Sequence, residues 1–205
     1  MSVYVQLDGP DGCGKSSQTA ALVEWLRGQG RETLHVREPG STPVGEALRN
    51  LLLSPATGHL QPVTEALLFS AARAELVAQQ VAPALARGAV VVAERGYLST
   101  LVYQALATTP GLSPQWVFDV TRAVHGACLP DAVFVLDVAA DVALARRAAR
   151  ASDRIEARPA DYHARVREGY RRAATLDPRA QLLDASRPFE AVQQDLRAAL
   201  ARLLA

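Results

Sequence analysis

The stretch Val3-Tyr4-Val5-Gln6-Leu7-Asp8-Gly9-Pro10-Asp11-Gly12-Cys13-Gly14-Lys15-Ser16-Ser17 decides the fold. Val3 to Leu7 is a short apolar run and reads as a buried strand. Gly9 to Ser16 then fits the pattern G-x-x-x-x-G-K-[ST]. A helical pattern follows at once, with Ala21, Leu22, Trp25 and Leu26 spaced for one apolar face. Strand, glycine loop and helix start, in that order, are the setting a phosphate-binding loop needs. The bland alternative is a glycine turn that matches by chance, and both flanking elements argue against it.

The chemistry explains the residue choice. Gly9, Gly12 and Gly14 let the backbone curl until successive N–H groups face one point, an anion nest. The helix beginning near Lys15 adds its positive end and its unpartnered first N–H groups. Lys15 reaches the β- and γ-phosphates, and the Ser16 hydroxyl can ligate magnesium. Lys15 is the only lysine in the chain, so the slender ammonium is kept where phosphates would crowd an arginine.

Working outward, the chain of 205 residues is long enough for one α/β domain with a sizeable core. A net charge of +1 suggests neither a nucleic-acid nor an acidic-membrane partner. Cys13 and Cys128 are far apart and form no CxxC pair, which fits a reducing cytoplasm rather than a disulfide framework. Cys13 reads as a small loop residue with an oxidisable thiol as the alternative. No apolar run approaches membrane-spanning length and none resembles a secretion signal, so a soluble protein is expected.

The remaining strands are expected at Thr33–Val36, Ala89–Ala93, Ala132–Val138 and Gln181–Leu183. Helices are expected over 43–53, 62–87, 98–107, 114–124, 139–150, 161–176 and 189–204. Ser113 is placed as the N-cap of the fourth of these, ahead of Pro114. This alternation implies right-handed crossovers and an α/β fold: a five-stranded parallel sheet between helical layers, carrying a short lid at about 147–158.

Side chains with chemical potential gather where such a sheet binds ligands, beyond the strand ends. Glu38 follows the second strand and enters a Pro39-Gly40 turn; it is read as a ligand to a substrate hydroxyl or metal-bound water, or else as a solvated carboxylate. Arg49 lies on the following helix. Phe69 and Arg73 share a helical face, where a ring and a guanidinium would make a nucleobase site. A core Phe and a surface Arg are the competing reading. Glu94 ends the third strand, where a carboxylate supports magnesium, and Arg95 beside it would face phosphates. Ser99 and Tyr103 share one face of the next helix, and Thr100 and Gln104 an adjacent one. Arg146, Arg147, Arg150, Arg154 and Arg158 surround a short polar segment, which suits either a phosphate-closing lid or a solvated hairpin.

Four separated motifs now identify a resemblance over nearly the whole chain: DGPDGCGKS at 8–16, REPGST at 37–42, ERGYLSTLVYQ at 94–104 and SDRIE at 152–156. Together they resemble the bacterial thymidylate kinases, which transfer the ATP γ-phosphoryl group to dTMP. The resemblance implies that Gly9, Pro10, Asp11, Gly12, Cys13, Gly14, Lys15, Ser16 and Ser17 cradle ATP. It implies that Arg49 and Arg95 hold the dTMP phosphate, with Asp11 near the sugar 3′-hydroxyl or magnesium. It places Phe69 on thymine, Arg73 on the O4 edge, and Ser99, Thr100 and Gln104 around the base. It sets Tyr103 against the deoxyribose. Gly12 after Asp11 implies that the catalytic arginine comes from the lid, as Arg154 with help from Arg150, alongside Lys15 and Arg95. Mg2+ is implied between Ser16 and Glu94, and a homodimer is implied. Glu94 and Gly96 depart from the usual residues of that family. Rival readings are another nucleotide kinase of this fold, or a phosphate-binding module without catalysis. A GTP-dependent switch would need an Asn-Lys-x-Asp stretch, which the single lysine excludes.

Overall fold

The computed structural model describes residues 1–147 and 153–205. In chain order the strands are β1 (Val3–Asp8), β2 (Thr33–Arg37), β3 (Val90–Glu94), β4 (Ala132–Asp137) and β5 (Ala180–Asp184). All pair in parallel, in the order β2-β3-β1-β4-β5. β1 is central, and all six of its residues are buried, the polar Gln6 and Asp8 included, as a strand covered on both faces requires.

Alternation along the strands separates two faces. Val3, Val5 and Leu7 pack on one face with Leu22 and Leu26 of α1 (Lys15–Gly28), together with Val90, Val92 and Phe134. Tyr4, Val91 and Ala93 face the opposite layer. There α2 (Pro43–Leu53) packs on α3 (Pro62–Leu76).

The long helix expected over 62–87 is interrupted. After α3 the chain takes one wider π turn at Val77–Val81 and resumes as α4 (Ala82–Ala86). Pro83 has no N–H to return to the preceding turn, so a regular ladder cannot run through it. The helix expected over 98–107 is likewise α5 (Tyr97–Thr100) followed by a π turn at Leu101–Leu106.

α6 (Pro114–His125) begins after Ser113, whose hydroxyl makes no capping bond. The side-chain cap is found instead on α2, where Thr42 Oγ1 accepts from Gly45 N at 2.9 Å. α7 (Ala140–Arg147) precedes the segment that is not described, so the expected continuation to Arg150 lies outside the described residues. α8 (Ala160–Leu176) covers β4 and β5 opposite α1, and α9 (Phe189–Leu203) packs on α1. Among the described residues no helix is long and apolar enough to cross a membrane.

Candidate active site

The carboxyl ends of β1, β2 and β3 open into a cleft of about 450 Å³. β1 delivers the glycine loop there. Gly9, Gly12 and Gly14 all have positive φ. At Gly12, with φ +84°, a Cβ would stand 2.4 Å from the Ala143 carbonyl oxygen of α7. A side chain there would therefore separate the loop from α7, the helix that carries Arg146. No side chain caps the start of α1, so its first N–H groups remain available to an anion. Lys15 is buried, and its Nζ donates to the carbonyls of Gly9 and Pro10, each at 2.8 Å. Cys13 is 2% exposed and packs into the core, which makes it the small structural residue of the loop.

The loop is braced from below by Asp8, a fully buried residue. Its Oδ1 accepts from Gly9 N, Ser99 Oγ and Tyr170 Oη at 2.7 to 2.9 Å, and its Oδ2 accepts from Ser99 N. Arg95 adopts the left-handed region at φ 69°, a conformation costing about 1–3 kcal/mol that here turns the side chain over the loop. It pairs with Asp11 and donates to Ser99 Oγ at 3.1 Å. Tyr103 donates to Asp11 Oδ2 at 3.1 Å. Burial, then the Asp11 charge, hold the Tyr103 phenol well above its ordinary pKa, so it remains a donor.

Ser16 Oγ donates to Glu94 Oε1 at 2.5 Å, which brings together the two oxygens expected to serve magnesium. Opposite them, Arg49 Nη1 donates to the Pro39 carbonyl at 3.0 Å. Burial, and then the charges of Arg37 and Arg95, lower the Arg49 pKa. An anion between Arg49 and Arg95 would relieve that repulsion.

The far end of the cleft contains Phe69, Arg73, Thr100 and Gln104. Arg73 is 3% exposed, so the surface-arginine reading fails. Its Nε donates to Glu38 Oε2 at 2.5 Å and its Nη2 to Thr100 Oγ1 at 3.3 Å. Glu38 is not a solvated carboxylate either: it is buried, and burial pushes its pKa up against the pull of Arg73.

Two expectations change. Arg154 does not reach the phosphate loop. Its Nε donates to the Leu52 carbonyl at 2.7 Å and its Nη1 pairs with Glu65 at 2.7 Å, because the buried carboxylate and the carbonyl at the end of α2 draw the guanidinium toward α2 and α3. Arg146 of α7 lines the cleft instead, with Nη1 3.8 Å from the place of a Cβ on Gly14. Ser99 lines the cleft but is engaged by Asp8 and Tyr170. Arg150 lies outside the described residues.

The unusual Gly96 also has a cause. A Cβ there would fall 1.9 Å from Gln6 Oε1, so the β1 glutamine fills the space a larger residue would take. Asp8, Gln6, Tyr170 and Glu65 brace the walls of the cleft and were not among the site residues expected from the sequence. For Glu65 a signal existed: it precedes Phe69 by four positions and therefore shares its face.

A parallel sheet with a phosphate loop, a cation cluster and an aromatic-arginine end to the same cleft defines a P-loop phosphotransferase with a nucleotide acceptor. The comparisons specify which. The family model "Thymidylate kinase" matches residues 7–196. A thymidylate kinase of Symbiobacterium thermophilum is 44% identical over 198 residues, covering 96% of this chain and 92% of that protein. One from Pseudomonas putida is 41% identical over 98% of both chains. The crystal structure of thymidylate kinase from Ehrlichia chaffeensis superposes with a TM-score of 0.77 at 25% identity, covering 98% of each chain. The chain belongs to the thymidylate kinase family.

Proposed function

We propose that this chain transfers the γ-phosphoryl group of ATP to dTMP, giving dTDP and ADP, in the supply of dTTP. Besides family membership, one observation carries the reading: a single cleft gathers the phosphate loop, the Arg49–Arg95 pair and a Phe69–Arg73–Gln104 pocket. ATP would occupy the loop from Gly9 to Ser17. The acceptor phosphate would lie at Arg49 and Arg95, which favours a monophosphate over a nucleoside. Thymine would stack on Phe69 with O4 on Arg73, and the deoxyribose would pack on Tyr103 near Asp11.

Phosphoryl transfer needs alignment and charge neutralisation rather than a strong base, because the dTMP phosphate oxygen is already anionic. Lys15 and Arg95 would share the developing charge with a lid arginine, and Arg146 is the described residue nearest that task. Ser16 and Glu94 present a hydroxyl and a carboxylate, hard oxygens that suit Mg2+, which keeps much of its shell for water and phosphate. When bound, Mg2+ supplies further neutralisation of phosphate charge.

We read the chain as one cytoplasmic kinase domain that forms a homodimer. Val44 and Leu51 of α2 and Val63 and Leu67 of α3 are exposed on two packed helices, an apolar surface for a second copy. Light scattering at micromolar concentration tests this, and a monomeric mass would contradict it. The activity is tested by ADP release with ATP and Mg2+ against dTMP, dUMP, dCMP, dGMP, UMP, CMP and thymidine. Turnover with dTMP and none with thymidine is expected. Preference for another acceptor would overturn the pocket roles, and no acceptor-dependent turnover would overturn the activity.

A further inference from the structure

Glu65 is 2% exposed and lies on the α3 face that also carries Phe69 and Arg73. Its oxygens are divided between two regions. Oε1 pairs with Arg154 Nη1 at 2.7 Å and accepts from Arg158 Nη2 at 2.9 Å. Oε2 accepts from Gln104 Nε2 at 3.0 Å. Gln104 is 1% exposed and lines the cleft, and its Oε1 is buried without a hydrogen-bond partner among the described residues.

An amide can stand in two orientations that differ by a half-turn, with the donor and acceptor ends exchanged. A carboxylate paired with two guanidiniums can only accept, so it takes the NH2 end of Gln104. The carbonyl end is left for the cleft. We propose that Glu65 is a positioning residue that acts through Gln104 and makes the pocket select a base with a ring N–H beside an exocyclic oxygen.

This rests on the assignment of Phe69, Arg73 and Gln104 to the base. Arg73 is fixed as a donor by Glu38 and Thr100. Donor and acceptor then match the O4 and N3–H of thymine or uracil. Cytosine presents an amino group and a bare ring nitrogen on that edge, which would set donor against donor and acceptor against acceptor. Leaving such buried groups unpaired can cost up to about 10⁴- to 10⁵-fold in selectivity. The same carboxylate holds Arg154 and Arg158, so one buried group joins the segment after α7 to the base pocket.

The test measures kcat and KM for dTMP and dCMP in the parent, Glu65→Gln, and the exchange Glu65→Gln with Gln104→Glu. An amide at 65 can donate or accept, which frees Gln104 to turn. The dTMP-over-dCMP preference in kcat/KM is expected to fall about tenfold, carried mainly by KM, as the loss of one oriented hydrogen bond predicts. The exchange restores an acceptor-only group facing the base and is expected to recover the preference. An equal loss for both substrates, with the ratio unchanged, would overturn the proposal.

Should Glu65→Gln not fold, binding of N3-methyl-dTMP to the parent decides. Binding much weaker than that of dTMP supports a carbonyl facing the base, and equal binding overturns it. Arg73→Ala is the control for the underlying assignment. If it leaves the dTMP KM unchanged, the pocket itself is misassigned. If it raises that KM while Glu65→Gln leaves the ratio intact, only the role of Glu65 falls.

Discussion

The Glu38–Arg73 pair shows how burial makes two partners unequal. Both side chains are under 5% exposed. Removing one partner of a buried pair typically costs about 3–5 kcal/mol, because the other charge is stranded. A stranded carboxylate can escape by taking a proton, and burial already pushes the Glu38 pKa upward. A stranded guanidinium cannot lose its charge. Glu38→Ala is therefore expected to destabilise the protein more than Arg73→Ala at pH 7. Urea unfolding of both variants measures the difference, and equal costs would contradict it. The pair also marks a limit of sequence reading. Spacing alone put Phe69 and Arg73 on one face, but the Glu38 contact spans 35 residues and depends on how β2 and α3 pack.

At the scale of elements, the segment after α7 is anchored to α2 and α3 through Arg154. Its backbone N donates to the Leu53 carbonyl at 3.1 Å, and its side chain joins the Leu52 carbonyl and Glu65. Arg154→Ala would leave a buried carboxylate with one fewer cation and a carbonyl without its donor. A stability loss of about 2–4 kcal/mol is expected, with faster proteolysis near residue 154. Unchanged stability together with a collapsed single-turnover rate would instead place Arg154 on the transferring phosphoryl group. Arg146→Ala is expected to do the reverse, slowing transfer by up to about 10³-fold with little change in urea midpoint. A single-turnover rate equal to the parent's would remove Arg146 from the chemistry. The elements themselves were legible because the inner strands β3 and β4 are nearly continuous apolar runs and helices show their period. The roles of the arginines were not, since Arg146 and Arg154 read alike in sequence and only their surroundings distinguish them. The π turns were hidden because periodicity barely changes across a single wider turn, although Pro83 was a visible cause.

Across the whole molecule, the seam between the sheet and its helices contains a histidine that should govern stability in mild acid. His125 ends α6, where a helix C-terminus would normally favour the imidazolium. It is instead 2% exposed, with its ring 5.9 Å from that of Tyr97 and 6.5 Å from that of Tyr4. Nδ1 lies 2.9 Å from the Thr121 carbonyl, which fixes it as the donor, while Nε2 is buried without a partner among the described residues. A proton on Nε2 would thus be a buried donor with no acceptor. Burial, and then the Arg73 charge, lower the His125 pKa to about 4, from 6.5 in the unfolded chain. The folded pKa is depressed, so this contribution is fully present above pH 6.5 and is lost as the pH falls toward 4, where only the unfolded state binds the proton. At pH 5 the loss is about 2 kcal/mol relative to pH 7. His35 shifts in the same direction and adds to the slope, so the measurement must be a difference. The fall in unfolding free energy from pH 7 to pH 5 is expected to be about 2 kcal/mol smaller in His125→Asn, whose amide can still donate to Thr121. Equal slopes in parent and variant would mean that the seam opens to water and hydrates the charged ring. A smaller slope in the variant would identify the sheet–helix seam, rather than the exposed carboxylate pairs, as the part of the molecule that yields first in mild acid.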